Sequence, residues 1–252
     1  MPVKYTSPNE CAAVIDLDLG ETNTFNLSEM NELIKIFEEK IEDRLDLKTV
    51  LIKSSNPDFF ATGPSIKEIK NIGKDGARHY MSVLGRMISH IEDSPVPVIC
   101  KIKGAVTGIG LDIASASDFR FASVDALFGD LTSKYGLVSP QYSFLRLSFL
   151  IGAQRAMEII TTGRGFSGVE LYRFNYLTGV FNTDALDESV ESFLTELTGL
   201  STDSLRLKKK AFGDLWKNFS RNNTSPDDSF PELLKNGKDW KDLFQQAKDG
   251  SL

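Results

Sequence analysis

The chain has 252 residues, of which 41% are hydrophobic and 25% are charged, so it can bury the core of one large domain and is neither disordered nor fibrous. Its formal net charge of −6 leaves no basic excess to neutralise phosphates, so we expect no nucleic-acid partner. Two cysteines, Cys11 and Cys100, lie far apart, and Cys100 falls inside the apolar run VPVICKI, which favours a buried free thiol over a disulfide.

Membrane and export segments are not indicated. No stretch approaches about 18 consecutive apolar residues, and the N-terminal segment MPVKYTSPNE lacks the apolar run of a signal peptide. We therefore expect no membrane association and a reducing, cytoplasmic or matrix-like compartment.

The first part of the chain predicts a strand, a helix and a second strand. The apolar runs CAAVIDLDL, from Cys11, and KTVLIKSS, from Lys48, are typical of strands. Between them, apolar residues follow the 3.6-residue period of an amphipathic helix at Met30, Leu33, Ile34, Phe37 and Ile41. Asn26, with Glu29 three residues later, is the capping pattern expected at the start of this helix.

Two further units of the same kind follow. Residues 78–92 predict a helix that the segment DSPVP ends, and VPVICKIKG predicts a buried strand. GIGLDIASAS then predicts a short helix, after which DFRFASVDALFG returns as a strand. This alternation indicates an α/β fold with mostly buried strands.

The last third of the chain is predicted to be helical from about residue 143. One helical face carries Val190, Phe193, Leu194 and Leu197, and a later face carries Leu205, Phe212, Leu215 and Phe219. The polar segment SRNNTSPDDS, from Ser220, predicts a loop before a final helix, WKDLFQQAK.

Two glycine-containing turns each join a strand to a helix start. They are FFATGPSIKEI, from Phe59, and KGAVTGIGLD, from Lys103. Free backbone N–H groups at such helix starts can hold an oxyanion or a phosphate. The spacing alone leaves open the plainer interpretation, in which these glycines merely permit tight turns.

These segments together resemble the enoyl-CoA hydratase/isomerase (crotonase) family. The resemblance rests on FFATGPSIKEI, on VPVICKIKGAVTGIGLDIASASDFRFAS and on IGAQRAMEIITTGRGFSGVEL, and it covers about residues 10–183. It implies an α/β spiral of ββα units in a core of residues 1–195, and a C-terminal helical oligomerisation region over 196–252. The family resemblance further implies an acyl-CoA ligand, with coenzyme A as part of the substrate, no other cofactor and no metal, and a homotrimer or dimer of trimers.

The family's oxyanion hole, two backbone N–H groups that hold the thioester carbonyl, corresponds to Pro64 and Ile109. Proline has no N–H, so on this alignment one donor is missing or is supplied by a neighbour such as Ser65. The resemblance also assigns substrate contacts to the residues around the two turns, namely Ala61, Gly63, Ser65, Ile66, Gly108 and Tyr135.

The two glutamates that hydratases of the family use as acid and base correspond to Asp112 and Thr132. Asp112 can remove a proton once burial raises its pKa towards neutrality. Threonine cannot act as an acid or base at neutral pH. Asp130, two residues before Thr132, is an alternative second carboxylate.

These assignments favour an enoyl-CoA double-bond isomerase or an atypical hydratase of fatty acid metabolism. One alternative is a polyketide-type decarboxylase acting on a carrier-bound thioester. The element Lys134, Tyr135 and Gly136 resembles an element of that branch of the family. Another is a catalytically silent paralogue that binds acyl-CoA, which the changes at Pro64 and Thr132 would explain. The dehalogenase branch of the family is disfavoured because the segment GLVSPQYS lacks its nucleophilic aspartate.

Overall fold

A computed structural model describes residues 2–69 and 72–221. The predicted final helix, WKDLFQQAK, and all but the first two residues of the loop predicted before it lie outside these ranges. Position 195, the predicted boundary between core and C-terminal region, falls inside a helix, and the division into two regions stays a prediction.

The described strands are short, and the first eight come in pairs along the chain. They are β1 (Val3–Asn9), β2 (Ala12–Leu17), β3 (Thr49–Ser54), β4 (Phe59–Ala61), β5 (Val98–Ile102), β6 (Ala105–Thr107), β7 (Phe119–Ser123), β8 (Leu127–Gly129), β9 (Phe166–Ser167) and β10 (Gly179–Phe181).

Helices separate these pairs and dominate the later part of the described chain. They are α1 (Leu27–Lys40), α2 (Ile66–Ile69), α3 (Lys74–Glu92), α4 (Ile109–Ala116), α5 (Gln141–Ile151), α6 (Ala153–Thr162), α7 (Gly168–Arg173), α8 (Thr183–Thr198) and α9 (Thr202–Arg221), with a 3-10 helix at Thr132–Tyr135.

Two sheets are built by one repeating unit. The six-stranded sheet has the order β1-β2-β3-β5-β7-β10 and the four-stranded sheet the order β4-β6-β8-β9. Each successive pair, β3/β4, β5/β6 and β7/β8, gives one strand to each sheet, and these strands pair in parallel with those of the next unit. Helical segments follow each pair. This arrangement confirms the α/β spiral of ββα units.

The first predicted unit is confirmed, with an additional strand before it. The strand predicted from Cys11 is β2, the strand predicted from Lys48 is β3, and α1 lies between them. The Asn26 N–H donates to Glu29 Oε2 at 2.9 Å, as the capping pattern predicts. β1 was not predicted because it is an edge strand that buries only Val3 and contains Pro8.

The strand predicted over DFRFASVDALFG is wrong in one respect. A turn divides it into β7 and β8, which belong to different sheets. Apolar residues continue on both sides of the turn at 124–125, so their pattern does not mark where the chain leaves one sheet for the other.

The C-terminal part is less uniformly helical than predicted. Helix α5 begins at Gln141, close to the predicted position, but the short strands β9 and β10 interrupt the helices that follow. Helix α8 packs Val190 and Leu197 against the large sheet, with Phe193 and Leu194 partly buried beside them. On α9, Leu205 is buried, whereas Phe212 is 71% and Leu215 55% exposed, so the described chain covers only part of this predicted face.

Candidate active site

Parallel pairing of β4 with β6 brings the two predicted glycine turns together. Ala61 pairs with Val106, so the chain leaving each strand enters the same region. A side chain on Gly110 would meet the Ala61 carbonyl oxygen at 2.1 Å, and one on Gly108 would meet the Gly63 Cα at 3.3 Å. Only glycine allows α4 to lie this close to β4.

The start of α4 presents an open backbone donor. Gly108 caps the helix with φ of 52°, a conformation that favours glycine, and Ile109 is the first helical residue. The Ile109 N–H has no acceptor within its helix and donates to no backbone carbonyl of the described chain. Ile109 and Asp112 both line one cavity.

The second predicted oxyanion position offers no free backbone N–H. Pro64 has no N–H. The Ser65 N–H donates to Asn26 Oδ1 at 3.0 Å, so it is already engaged and does not replace the missing donor. Ile109 is therefore the one free backbone donor of the two positions that the sequence predicts.

Two cavities meet at this point. The inner one has a volume of about 90 Å³ and is lined mainly by apolar side chains, together with Asp112 and Asp130. The outer one has a volume of about 650 Å³ and includes Ser65 and Tyr135 among its lining residues. Residues common to both surround the boundary: Gly63, Pro64, Ile69, Gly108, Thr132 and Leu137.

Asp112 lies in the first turn of α4 and is 8% exposed. Burial raises the pKa of its carboxyl to about 8, and negative charge on Asp130 and Glu92 adds to the rise. A hydrogen bond at 2.5 Å from Ser143 Oγ to Asp112 Oδ1 opposes the rise because it favours the ionised form. Asp112 is thus a buried carboxyl group that can exchange a proton near neutral pH in this cavity.

Thr132 lines the cavity, and its N–H and hydroxyl both donate hydrogen bonds to Asp130. Its N–H and its hydroxyl donate to Asp130 Oδ1 at 2.9 and 2.6 Å. The Ser139 hydroxyl donates to Asp130 Oδ2. The alternative carboxylate considered from the sequence, Asp130, is therefore buried in the inner cavity and held by three donors.

The remaining predicted contact residues divide between the cavity lining and its support. Ala61 is fully buried and lines neither cavity, but its carbonyl receives the close approach of Gly110. Ile66 begins α2 directly after Ser65. Sequence reasoning did not identify Ser139 and Ser143 as site residues. Serines in a loop and a helix start carry no spacing signal. The packing of α5 against α4 brings Ser143 to Asp112, and the loop before α5 brings Ser139 to Asp130.

A sequence model of the enoyl-CoA hydratase/isomerase family matches residues 8–226. The chain belongs to this family. The match contains the segments that carry the resemblance and extends beyond residue 183, and it includes every residue of the site described above.

Curated relatives within the family match part of their own length. Probable enoyl-CoA hydratase 2, mitochondrial, of Arabidopsis thaliana is 31% identical over 157 residues, which cover 62% of this chain and 52% of the plant protein. YngF of Bacillus subtilis is 28% identical over 162 residues, which cover 64% of this chain and 62% of YngF. The chain thus spans between half and two thirds of the length of these relatives.

Solved structures of family members share the fold over nearly the whole chain. An enoyl-CoA hydratase from Bacillus halodurans superimposes with a TM-score of 0.87 at 19% identity, covering 97% of this chain and 100% of that one. The enoyl-CoA hydratase from Bacillus anthracis gives a TM-score of 0.80 at 22% identity, covering 99% and 97%. At these identities the likeness concerns the fold alone. Within the described residues, no helix is long and apolar enough to cross a membrane.

Proposed function

We propose that the protein binds an acyl-CoA thioester and moves a carbon–carbon double bond of the acyl chain from position 3 to position 2. The observation that carries this proposal is Asp112, a buried carboxyl with a pKa of about 8 in the cavity that Ile109 also lines. A single group of this kind suits a reaction in which one proton is removed and then returned.

The proton and electrons balance without another reactant. The Asp112 carboxylate removes a proton from C2 of a 3-enoyl thioester, and the electron pair of that bond forms an enolate whose oxygen accepts a hydrogen bond from the Ile109 N–H. Asp112 then returns the proton to C4, where it bonds to the electron pair of the former C3–C4 double bond. The C1–C2 electron pair of the enolate forms the C2–C3 double bond, and the thioester carbonyl is restored. The backbone donor stabilises the charge that develops on the oxygen.

The two cavities suggest how the substrate would lie. The thioester carbonyl would occupy their boundary near Gly63 and Gly108, the acyl chain the inner cavity, and the coenzyme A portion the outer one. The inner volume of about 90 Å³ is smaller than the roughly 150 Å³ of a cavity that holds benzene. We therefore expect short acyl chains to be preferred.

Hydration is the less favoured reaction of this site. A hydratase needs a second acid or base to act on water, and the Thr132 hydroxyl cannot fill that role. Asp130 is close, but the hydrogen bonds from Thr132 and Ser139 engage both of its oxygens.

A catalytically silent paralogue that binds acyl-CoA is the second candidate. The observation favouring it is the loss of one oxyanion donor at Pro64, with Ser65 engaged by Asn26. Losing one such donor costs about 3 kcal/mol of transition-state stabilisation, or roughly a hundredfold in rate, in enzymes where it has been measured.

Incubation with 3-hexenoyl-CoA and with crotonyl-CoA, followed by the ultraviolet absorbance of the conjugated enoyl thioester, tests both candidates. Isomerisation raises the absorbance of the first substrate, and hydration lowers that of the second. We expect the rise alone, and we expect Asp112→Asn to abolish it. Binding of both thioesters by calorimetry without either change would refute the isomerase and support the silent paralogue.

Assembly and location follow the family by analogy. We propose a homotrimer or dimer of trimers in the cytoplasm, acting in fatty acid metabolism. The support for assembly is the exposed apolar face of α9, which includes Phe212 and Leu215.

A further inference from the structure

Asp130 is buried deeply at a place where the family's second acid–base position, Thr132, has no carboxyl. It is 3% exposed and lines the same inner cavity as Asp112. Its Oδ1 accepts from the N–H and hydroxyl of Thr132, and its Oδ2 accepts from the Ser139 hydroxyl, which lies 3.0 Å from Thr132 Oγ1. Three converging donors are an arrangement that holds a carboxylate in one position.

The charge of Asp130 has no counter-ion among the described residues. The other carboxylate that acts on Asp112 is Glu92, which is paired with Arg146 and accepts a hydrogen bond from Trp216 Nε1 at 3.0 Å. Asp130 receives hydrogen bonds from neutral groups alone and forms no ion pair within the described chain. Its negative charge therefore acts on the cavity without compensation.

Three other titratable groups that interact electrostatically with Asp112 carry no charge at neutral pH. They are the phenols of Tyr80 on α3, Tyr142 on α5 and Tyr176 after α7, and burial raises the pKa of each above its usual value. Ser143 on α5 supplies the neutral hydrogen bond to Asp112. The buried Arg120 guanidinium donates to the Ala114 and Ser117 carbonyls at the C-terminal end of α4, whereas Asp112 lies in the first turn. Asp130 is thus a carboxylate without a counter-ion among the described residues, in the same cavity as the proposed base.

We propose that Asp130, held by Thr132 and Ser139, is a positioning residue whose fixed negative charge strengthens Asp112 as a base. The inference rests on the proposed function, because a stronger base is useful only if Asp112 takes a proton from the substrate. Two carboxylates in one cavity then have separate roles. Asp112 exchanges the proton with the substrate. Asp130, whose oxygens are already hydrogen-bonded, supplies the negative charge that raises the proton affinity of Asp112.

Titration of Asp112 in the free protein tests this inference without any substrate. Protein labelled with ¹³C at the aspartate carboxyl carbons is titrated by NMR, and the Asp112 signal is assigned by its loss in Asp112→Asn. We expect Asp130→Asn to lower the titration midpoint of Asp112 by about one pH unit, a tenfold loss of proton affinity. The asparagine can still accept from Thr132 and can donate to Ser139 Oγ, which favours retention of the fold.

Three further variants separate charge from structure. Asp130→Glu keeps the charge and should keep the midpoint near that of the wild type. Ser143→Ala removes a donor to the Asp112 carboxylate and should move the midpoint the opposite way, upward. Asp184→Asn, the same change at an exposed aspartate of α8, should leave it unchanged. An unchanged midpoint in a folded Asp130→Asn protein, or an equal downward shift in Asp130→Glu, would overturn the inference.

Isomerase kinetics distinguish failure of this inference from failure of the proposed function. If the protein is an isomerase, the pH profile of kcat/KM should follow the Asp112 midpoint and shift with it in Asp130→Asn. A midpoint that shifts in a protein without isomerase activity supports the electrostatic role of Asp130 and removes the proposed reaction. Isomerase activity together with an Asp112 midpoint that Asp130→Asn does not move would support the proposed reaction and contradict the electrostatic role of Asp130. Should Asp130→Asn fail to fold, Asp130→Glu decides, because loss of the elevated midpoint despite the retained charge contradicts the inference.

Discussion

Burial of a single carboxyl group links the proposed chemistry to the stability of the protein. Asp112 is surrounded by apolar residues of the inner cavity and by Asp130, and both the low polarity and the like charge disfavour its ionised form. The Ser143 hydrogen bond limits this effect without removing it. The same environment that makes Asp112 a useful base therefore costs folding free energy when Asp112 ionises.

The sign of this cost gives a testable pH dependence. The pKa of Asp112 is raised from about 3.9 in the unfolded chain to about 8 in the folded one. Its contribution to stability is fully present below pH 4, falls as the pH rises, and is lost above pH 8. We expect Asp112→Asn, which cannot ionise, to lessen the decline in the free energy of unfolding between pH 5 and pH 8.

Urea unfolding at several pH values in this range measures that effect. Asp184→Asn, on the exposed surface of α8, is the matched control and should follow the wild type. Parallel pH curves for wild type and Asp112→Asn would mean that Asp112 is not protonated near neutrality in the folded protein.

Loss of a backbone donor at Pro64 can be reversed by one substitution. Pro64→Ala supplies an N–H at the position where the family holds the thioester oxygen. If the proposed reaction is limited by oxyanion stabilisation, kcat for 3-hexenoyl-CoA should rise by up to about a hundredfold, equivalent to roughly 3 kcal/mol.

Steady-state kinetics of Pro64→Ala check this expectation, with Pro8→Ala on β1 as a control that removes a proline away from the site. A silent protein that gains isomerase activity through Pro64→Ala would instead identify this residue as the cause of the silence. No change in kcat would mean that the alanine N–H does not face the substrate.

At the scale of elements, the close contact between α4 and β4 holds the first turn of α4, with Ile109 and Asp112, against one cavity. Gly110 permits it, because any side chain there would meet the Ala61 carbonyl at 2.1 Å. We expect Gly110→Ala to force the two elements apart, lowering the free energy of unfolding by about 2 kcal/mol and reducing isomerase activity further than stability alone explains.

Gly85→Ala is the informative control for this prediction. Gly85 lies in α3, where an added Cβ meets nothing within 4 Å, so alanine should stabilise the helix by roughly 0.5–1 kcal/mol. Thermal unfolding of both variants makes the comparison. Equal effects in the two glycine positions would contradict the role given to the α4–β4 contact.

At the scale of the whole molecule, the apolar surface of α9 is the feature that the described chain leaves uncovered. Phe212 and Leu215 are more than half exposed, which is costly for a protein in water unless another surface covers them. We expect the wild type to form an assembly of three subunits or a multiple of three, and Phe212→Ser with Leu215→Ser to shift it to smaller species.

Light scattering coupled to gel filtration measures the mass of each form. Met157→Ser changes an apolar residue of similar exposure on α6 and should leave the mass unchanged if α9 provides the contact. A monomeric wild type would contradict the proposed assembly.

Local sequence determined much of this protein. Apolar periodicity was sufficient to predict α1, β2, β3 and β5, because a buried helix face or strand requires apolar residues at fixed spacing. The glycine turns and their neighbours were sufficient to identify the family and to predict Ile109, Asp112 and Pro64 as site residues. A motif match of this kind depends only on which residues occur and in what order.

Tertiary structure decided what those residues can do. The separation of β7 from β8, the engagement of the Ser65 N–H by Asn26 and the hydrogen bonds of Ser139 and Ser143 to the two carboxyls all join segments that are distant in sequence or not distinguished by any pattern. Proton affinity likewise depends on the polarity and charge gathered around a group in space. The position of Asp112 could be read from the chain, but its pKa of about 8 arises only when the fold buries it beside Asp130.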